Sequence, residues 1–442
     1  MEAIEVHYHD DYVGALSYDS SAASGDGLGF FEYAASWLGK DIELSPLKMP
    51  LSKQIYSFSE LPREVFKGLP GMIADSLPDD FGNAVLNAWV ATQGRSAENI
   101  TPLERLQYTG QRGMGALEYR PAKSNGVTRS KTADIALAEL VKVAQDVIDH
   151  RNNFEAHLSS DNAEDSQAMR ELLQVGMSAG GARPKAVLAF NDDFTVVRSG
   201  QVDAPEGFTH YLMKFDGVSE HHKDKETFGD PTGYGAMEYV YHLMAQKAGI
   251  KMEPCRLLHE GNRRHFLTRR FDRVGNRKLH VQTLTGMAHV TFKSPGHYSY
   301  HELFQVVRSL SLPFLDADQL LRRMIFNIVA RNHDDHPKNF AFLMDKKGAW
   351  SLAPAYDVAY SYKPGSKWVN SHYMSLNGKR DSFTIDDLLS IQSVTRRFTP
   401  EHIKQVLEEV VEAVSTWETL AKDNEVPVSL IEMISPKLRL SW

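Results

Sequence analysis

The sequence predicts an α+β protein with a small mixed α/β amino-terminal domain, then a β-rich lobe and an all-helical lobe. Three observations support this. Short alternating runs separated by turns extend to about residue 120, apolar strand-like runs recur to about residue 270, and long amphipathic helices dominate beyond about residue 300. The 442 residues suffice for two or three domains, which we place at residues 1–125, 126–270 and 271–442.

The amino-terminal domain is predicted to contain both strands and helices. Residues 4–8 and 12–16 alternate apolar and polar side chains, as half-buried strands do. Two short helices, at residues 30–38 and 83–92, are the other elements predicted for this domain. A polar linker at 121–131 and a longer amphipathic helix at 132–149 follow them.

The β-rich lobe begins with a glycine-rich segment, residues 176–185, that leads into the apolar run 186–190. A turn at Asp192 and Asp193 connects this run to residues 194–197, which predicts a β-hairpin. Further strands are predicted at 211–215 and 263–270, with a helix at 237–248.

Two long helices define the helical lobe. Asp316 is predicted to cap the first, whose apolar residues recur at helical spacing up to Val329. Thr399 and Pro400 are a good cap and first-turn pair for the second, whose apolar residues continue to Leu420.

Composition excludes several classes of protein. The single cysteine, Cys255, excludes an internal disulfide and a cysteine metal cluster. The net charge of −8 excludes a global basic surface for nucleic acid. The amino terminus has no basic region followed by an apolar run, and no apolar stretch approaches the length of a membrane span. We therefore expect a soluble, cytoplasmic protein.

The most informative segment is the polar run from Asn332 to Asn339, which directly follows an amphipathic helix. A structural turn needs one or two Asn or Asp residues, whereas this segment contains four, with two histidines and a lysine. Phosphoryl transfer requires a carboxylate for the hydroxyl proton, an amide oxygen on Mg²⁺ and a nearby cation. The spacing from Asp334 to Asn339 is that of the protein-kinase catalytic loop.

Three weaker signals support the same chemistry. Asp357 follows a predicted turn at the distance at which a kinase aspartate shares the metal ion with the loop asparagine. The glycines of residues 176–185 allow backbone amides to approach phosphates, with Lys185 as a nearby charge. Lys214 lies in an apolar strand, where a lysine is costly unless paired, and Glu238 is its predicted partner.

Together these motifs resemble the HipA family of Ser/Thr kinases, toxins of bacterial toxin–antitoxin pairs. The resemblance rests on Asn-x-Asp-x-His-x-Lys-Asn at 332–339, Tyr356-Asp357, Arg-Phe-Asp-Arg at 270–273 and Ser-Ala-Gly-Gly-Ala-Arg-Pro-Lys at 178–185. Residues 75–82 and 113–117 resemble the amino-terminal domain of that family. The resemblance implies a protein-kinase-like bilobal core.

The resemblance also implies a role for each matching residue. Asp334 matches the catalytic base, with His336 and Lys338 beside it at the phosphates, and the Mg²⁺ ligands fall on Asn339 and Asp357. Ser178 matches a serine that is autophosphorylated. The remaining matches are to ATP-binding positions: Gly180, Gly181, Ala182, Arg183, Lys185, Lys214, Arg269, Arg270, Phe271, His336 and Tyr356.

The implied cofactors are ATP and Mg²⁺, and the implied partner is a HipB-like DNA-binding antitoxin through which operator DNA is contacted. A protein substrate with a Ser or Thr target, such as an aminoacyl-tRNA synthetase, is implied as well. Three alternatives stay open: an antitoxin-binding co-repressor with a weak or degenerate kinase core, a small-molecule kinase, and a metallohydrolase with His333, Asp334 and His336 as ligands.

Overall fold

The computed structural model describes residues 2–21, 27–122, 137–149, 183–219, 229–230, 232–395 and 397–442. The chain divides into two compact units. The first contains Met1–Leu44, Met49–Gly235 and Arg256–Val281, and the second contains Ser45–Lys48, Ala236–Cys255 and Gln282–Trp442. The domain boundaries that we place at residues 125 and 270 stay a prediction.

A four-stranded antiparallel sheet opens the first unit, with the strand order β3-β2-β1-β4. Its strands are β1 (Glu2–Tyr8), β2 (Asp11–Asp19), β3 (Leu28–Tyr33) and β4 (Leu117–Arg120). The strands predicted at 4–8 and 12–16 are confirmed. The helix predicted at 30–38 is wrong in its first half, because Phe31 and Tyr33 alternate into the core on β3 and only Ala35–Leu38 is helical.

A second sheet of the first unit has five strands in the order β10-β11-β7-β5-β6. The predicted hairpin is confirmed, although its second strand begins only at Val197 because residues 192–196 form the turn. The strands of this unit after β4 are β5 (Lys185–Asn191), β6 (Val197–Ser199), β7 (Phe208–Lys214), β8 (Val218–Ser219), β9 (Gly229–Asp230), β10 (Cys255–Glu260), β11 (Arg263–Arg269), β12 (Arg273–Val274) and β13 (Arg277–Lys278).

Amino-terminal helices pack on the five-stranded sheet and share one apolar core with it. Phe81, Leu86, Leu140 and Val147 from two helices meet Leu188 of β5 in this core. The helices of this part are α1 (Ala35–Leu38), α2 (Arg63–Phe66), α3 (Gly71–Ala74), α4 (Asp80–Thr92), α5 (Pro102–Thr109) and α6 (Leu137–Asp149). The helices predicted at 83–92 and 132–149 are confirmed, the latter for its described residues.

The second unit is mainly helical, whereas the sequence predicts an all-helical lobe. Its helices are α7 (Tyr234–Lys247, which starts in the first unit), α8 (Leu284–Ala288), α9 (Tyr300–Ser309), α10 (Phe314–Val329), α11 (Ile385–Leu389), α12 (Pro400–Ser415), α13 (Trp417–Asp423) and α14 (Val428–Ile434). The Thr399 side chain caps α12 by accepting the His402 N–H at 3.2 Å, as expected from the threonine–proline pair.

The second unit differs from the sequence prediction in two details. Asp316 lies inside the first turn of α10 rather than at its cap, which is Pro313, and its carboxylate accepts the backbone N–H of Leu352 at 2.9 Å. The unit also contains strands β15 (Ala341–Met344) and β16 (Trp350–Leu352), which form a sheet with β14 (His280–Thr283). The overall class is α+β, as predicted.

Candidate active site

The loop that follows α10, residues 332–339, forms the centre of the candidate site in the second unit. Asn332 ties the loop to the helix, since its backbone N–H donates to the Asn327 carbonyl oxygen at 2.9 Å and its Nδ2 donates to Asn327 Oδ1 at 2.9 Å. Ser361 Oγ donates to Asn332 Oδ1 at 3.1 Å. Asn332 therefore anchors the loop.

Asp335 holds the loop from inside the unit. Its carboxylate is buried and accepts the Tyr300 hydroxyl at 2.6 Å, the His372 Nδ1–H at 2.9 Å and the Tyr373 backbone N–H at 2.6 Å. Burial and the neighbouring Asp335 raise the pKa of Tyr300 well above its usual value, so the phenol stays a donor. Asp335 is thus a structural carboxylate.

Asp334 is the carboxylate that faces outward. Its side chain is 46% exposed, in contrast to the buried carboxylate of Asp335, and the His336 Nε2 lies 3.7 Å from its Oδ1. Asn339 Nδ2 donates to the Asp334 backbone carbonyl at 2.7 Å, which fixes the backbone of Asp334 relative to Asn339. An accessible carboxylate held in this way is suited to accept a proton from a hydroxyl.

Asn339 and Asp357, the two predicted Mg²⁺ ligands, line the same cavity of the second unit. Because the Asn339 nitrogen is taken up by Asp334, its amide oxygen is the end that can coordinate a cation. Asp357 adopts a left-handed backbone conformation with a φ of 52°. Carboxylate and amide oxygens are the ligands that Mg²⁺ prefers, with substrate phosphates completing the shell, so this pair fits the ion.

Lys338 and Tyr356 connect the two segments of the site. The Tyr356 hydroxyl donates to the Lys338 carbonyl oxygen at 2.6 Å. The Lys338 Nζ lies 4.8 Å from the centre of the Phe292 ring, and the His336 ring lies 5.7 Å from the same ring. The residues predicted at the catalytic loop are thus brought together in the second unit.

The rival metal site at His333, Asp334 and His336 lacks the required arrangement. His333 is fully buried against the rings of His372 and Tyr362, at 4.1 and 4.8 Å between ring centres. Burial, and secondly His372, lower the pKa of His333 to about 3. In the part of the chain that the structure describes, no three His, Cys, Asp or Glu side chains are grouped to hold a metal ion.

The predicted phosphate-binding lysines lie in the first unit. Lys185 begins β5 and Lys214 ends β7, and the two are directly opposite each other in the antiparallel register. Lys214 Nζ lies 5.8 Å from the centre of the Phe266 ring. Lys185 Nζ lies 3.1 Å from Asp79 Oδ2. The predicted partner of Lys214, Glu238, lies in the second unit, and that pairing stays a prediction.

The segment predicted to receive adenine, Arg269, Arg270 and Phe271, ends β11 and follows it. Arg269 is exposed, whereas Arg270 is buried and makes a bidentate pair with Asp272 at 2.8 and 2.6 Å. Arg273 donates to the same carboxylate at 2.6 Å. Although burial favours its neutral form, Arg270 and Arg273 hold the pKa of Asp272 far below its usual value. The Arg270 side chain is therefore structural.

Four of the predicted site residues lie outside the described residues, and two contacts in the structure were not predicted from the sequence. Ser178, Gly180, Gly181 and Ala182 lie outside the described residues, whereas Arg183 is partly exposed just before β5. Sequence reasoning missed the contact of Asp79 with Lys185 and the role of Arg323, whose Nη2 donates to the Ala353 carbonyl at 2.6 Å. The position of Asp79 at the start of a helical pattern could have predicted its role as a helix cap. No local pattern could have predicted its contact with Lys185.

Comparison with known proteins shows which family the chain resembles. The profile of the HipA-like C-terminal domain matches residues 177–417, and that of the HipA N-terminal domain matches residues 4–120. A Sinorhizobium fredii protein named "Putative kinase Y4mE" is 29% identical over 383 residues, which are 81% of this chain and 77% of that protein. The solved complex of Shewanella oneidensis MR-1 HipA, HipB and operator DNA aligns at a TM-score of 0.64 and 17% identity, over 94% of this chain and 91% of that one.

The fold and the family profiles therefore define a kinase-like α+β protein. Because the C-terminal profile alone spans more than half of the chain, the chain belongs to the HipA family. The resemblance drawn from the motifs is confirmed.

No helix among the described residues has the length and apolar character needed to cross a membrane.

Proposed function

We propose that this chain is a Mg-ATP-dependent Ser/Thr protein kinase that acts as the toxin of a toxin–antitoxin pair. The observation that carries the proposal is the arrangement of the loop: Asn339 shares a cavity with Asp357 while its side chain holds the backbone of Asp334. The proposed base and the two proposed metal ligands of a phosphotransferase therefore belong to one unit.

The proposed division of labour follows from the chemistry of each side chain. Asp334 orients a Ser or Thr hydroxyl and accepts its proton. Asn339 and Asp357 hold Mg²⁺, which when bound neutralises charge on the phosphate oxygens of ATP. His336, Lys338, Lys185 and Lys214 supply further positive or donor groups toward the phosphates.

The rest of the proposed ATP site takes in the glycine-rich segment and the end of β11. Gly180, Gly181, Ala182 and Arg183 contribute the phosphate loop, and Tyr356 borders the metal ligands. Arg269, Arg270 and Phe271 receive the adenine. Since the Arg270 backbone N–H donates to the His210 carbonyl oxygen and its side chain pairs with Asp272, other atoms of this segment face the adenine in our proposal.

Autophosphorylation at Ser178 is proposed to switch the enzyme off. A phosphoserine carries close to two negative charges and would repel ATP from the adjoining phosphate loop. Under this proposal Ser178→Ala stays active, whereas a loss of activity as complete as that of Asp334→Asn would contradict the inhibitory role.

A DNA-binding antitoxin is the proposed partner, with operator DNA contacted mainly through it. The shared fold with HipA in a complex with HipB and operator DNA supports this proposal. The proposed substrate is a cytoplasmic, translation-related protein such as an aminoacyl-tRNA synthetase. The alternative is an antitoxin-binding co-repressor with a weak kinase core, which the same structural relative favours.

The test is mass spectrometry of the intact protein and its tryptic peptides after incubation with and without Mg-ATP. We expect phosphate on the Ser178 peptide of the wild type and none on Asp334→Asn. The matched control is Asp386→Asn, the same charge change at an exposed residue of α11. Phosphate on other peptides would retain the kinase and remove Ser178. No phosphate and no ATP binding, with the antitoxin bound, would favour the co-repressor.

A further inference from the structure

Two lysines lie side by side at the end of the five-stranded sheet. Lys185 and Lys214 are cross-strand neighbours in the β5–β7 register, and both residues are at least 95% buried. Like charges directly opposite each other in a sheet repel, and a buried ammonium is costly unless a carboxylate or another polar group compensates it. A counter-charge is therefore required at this place.

Asp79 supplies a counter-charge from the amino-terminal part of the chain. Its Oδ2 lies 3.1 Å from Lys185 Nζ, and the two side chains are 3% and 2% exposed. The other carboxylate oxygen accepts the Gly82 N–H at 2.6 Å and thereby caps α4. One carboxylate thus joins the start of a helix to the start of the strand that carries Lys185.

We propose that Asp79 is a positioning residue of the nucleotide site that competes with ATP phosphates for the Lys185 ammonium. This inference rests on the proposed function, in which Lys185 faces the phosphates. An ammonium has three donors, so Asp79 directs the side chain while it offsets part of its charge. The cap on α4 holds the carboxylate in place, and the site consequently binds a polyphosphate less tightly than an unopposed lysine would.

The variant that isolates this effect is Asp79→Asn. Asparagine caps helices as well as aspartate does, so the substitution removes the charge and keeps the acceptor for Gly82. Asp80→Asn is the matched control, because Asp80 is exposed at the adjacent position of the same helix. Asp79→Ser, which retains a capping hydroxyl, is the second neutral variant if Asp79→Asn does not fold.

The measurement is the Kd of the full-length protein for Mg-ATP by titration calorimetry, together with the KM for ATP and kcat. We expect Asp79→Asn to lower Kd and KM about 10-fold, the scale of one nearby unit charge acting on the phosphates. In a Lys185→Gln background the same substitution should leave Kd unchanged, a coupling that a purely structural ion pair would not produce. Asp80→Asn should bind as the wild type does.

Two results overturn the inference, and they are distinguishable. If the wild type binds Mg-ATP but Asp79→Asn binds it equally or more weakly, or shifts Kd equally with and without Lys185, the pair is structural only and the kinase proposal stands. If the wild type binds no nucleotide, the proposed function fails and this inference fails with it.

Discussion

At the residue scale, the neighbouring aspartates Asp334 and Asp335 differ in exposure and in hydrogen bonding. Asp334 is half-exposed, and its Oδ1 lies 3.7 Å from His336 Nε2. Asp335 is buried, and its carboxylate accepts three hydrogen bonds. Chemistry at a carboxylate requires access to the substrate, and a buried carboxylate with several donors is typical of a structural role. Substitution of Asp334 should therefore affect activity, whereas substitution of Asp335 should affect stability.

If Asp334 is the general base that we propose, Asp334→Ala should lower phosphoryl transfer by about 100- to 10,000-fold, the usual contribution of such a base, with little change in stability. Asp335→Ala should instead lower the free energy of unfolding by about 3 kcal/mol, because Tyr300 and His372 lose a buried acceptor. Chemical denaturation and a kinase assay on both variants measure the difference. Equal losses of stability would contradict the assignment.

Under the proposed function, Asn339→Ala should raise the Mg²⁺ concentration needed for half-maximal activity about 10-fold or more, since it removes a proposed oxygen ligand and releases the Asp334 backbone. Activity is measured over a Mg²⁺ titration at saturating ATP. The control is Asn370→Ala at an exposed loop position. A loss of activity that is independent of Mg²⁺ would argue against ligation by Asn339.

Helix α10 positions the Asp357 segment at the scale of elements. Its Asp316 accepts the Leu352 N–H, and its Arg323 donates to the Ala353 carbonyl. One helix therefore makes hydrogen bonds to the last residue of β16 and to the residue after it. The carboxyl end of the same helix carries Asn327, which anchors Asn332. The segments that carry Asn339 and Asp357, the proposed Mg²⁺ ligands, thus both contact a single helix.

Arg323→Met should destabilise the second unit by about 1–3 kcal/mol, because it leaves the Ala353 carbonyl without this donor in a buried place. It should also lower activity, since the segment that leads to Asp357 loosens. Thermal unfolding and kinase activity are compared with Arg308→Met, an exposed arginine on α9. Full activity in Arg323→Met would show that α10 does not set the position of Asp357.

At the scale of the whole molecule, four buried or partly buried histidines should make folding stability depend on pH. Burial lowers the pKa of His242 and His280 to about 4 and that of His289 and His333 to about 3. Their ordinary value is near 6.5, so the unfolded chain binds more protons than the folded chain below that pH. The contribution of these histidines to folding stability is therefore fully present above about pH 6.5 and is lost as the pH falls toward 4.

In that interval, each of these histidines should lower the free energy of unfolding by about 1.4 kcal/mol for every pH unit by which the pH falls. We expect the unfolding temperature to fall steeply between pH 7 and pH 5, and His289→Gln to make the fall shallower. His297→Gln, at an exposed position, is the matched control. A pH-independent unfolding temperature in this range would contradict the prediction.

The sequence alone determined those features in which neighbouring residues cooperate. The cap of α12 at Thr399, the alternation of β1 and β2, and the spacing of Asp334 and Asn339 all depend on contacts within a few residues. The family could be recognised for the same reason, since its motifs are short and ordered along the chain.

Only the tertiary structure decided which polar residues are buried and what they contact. Asp334 and Asp335 are adjacent and chemically identical, yet the acceptor for Tyr300 and His372 is determined by packing between distant segments. The pairing of Asp79 with Lys185 spans more than a hundred residues. Strand β3 forms where a helix was predicted because β2 offers it a partner. Burial and long-range pairing override local propensity, and neither is written in a local pattern.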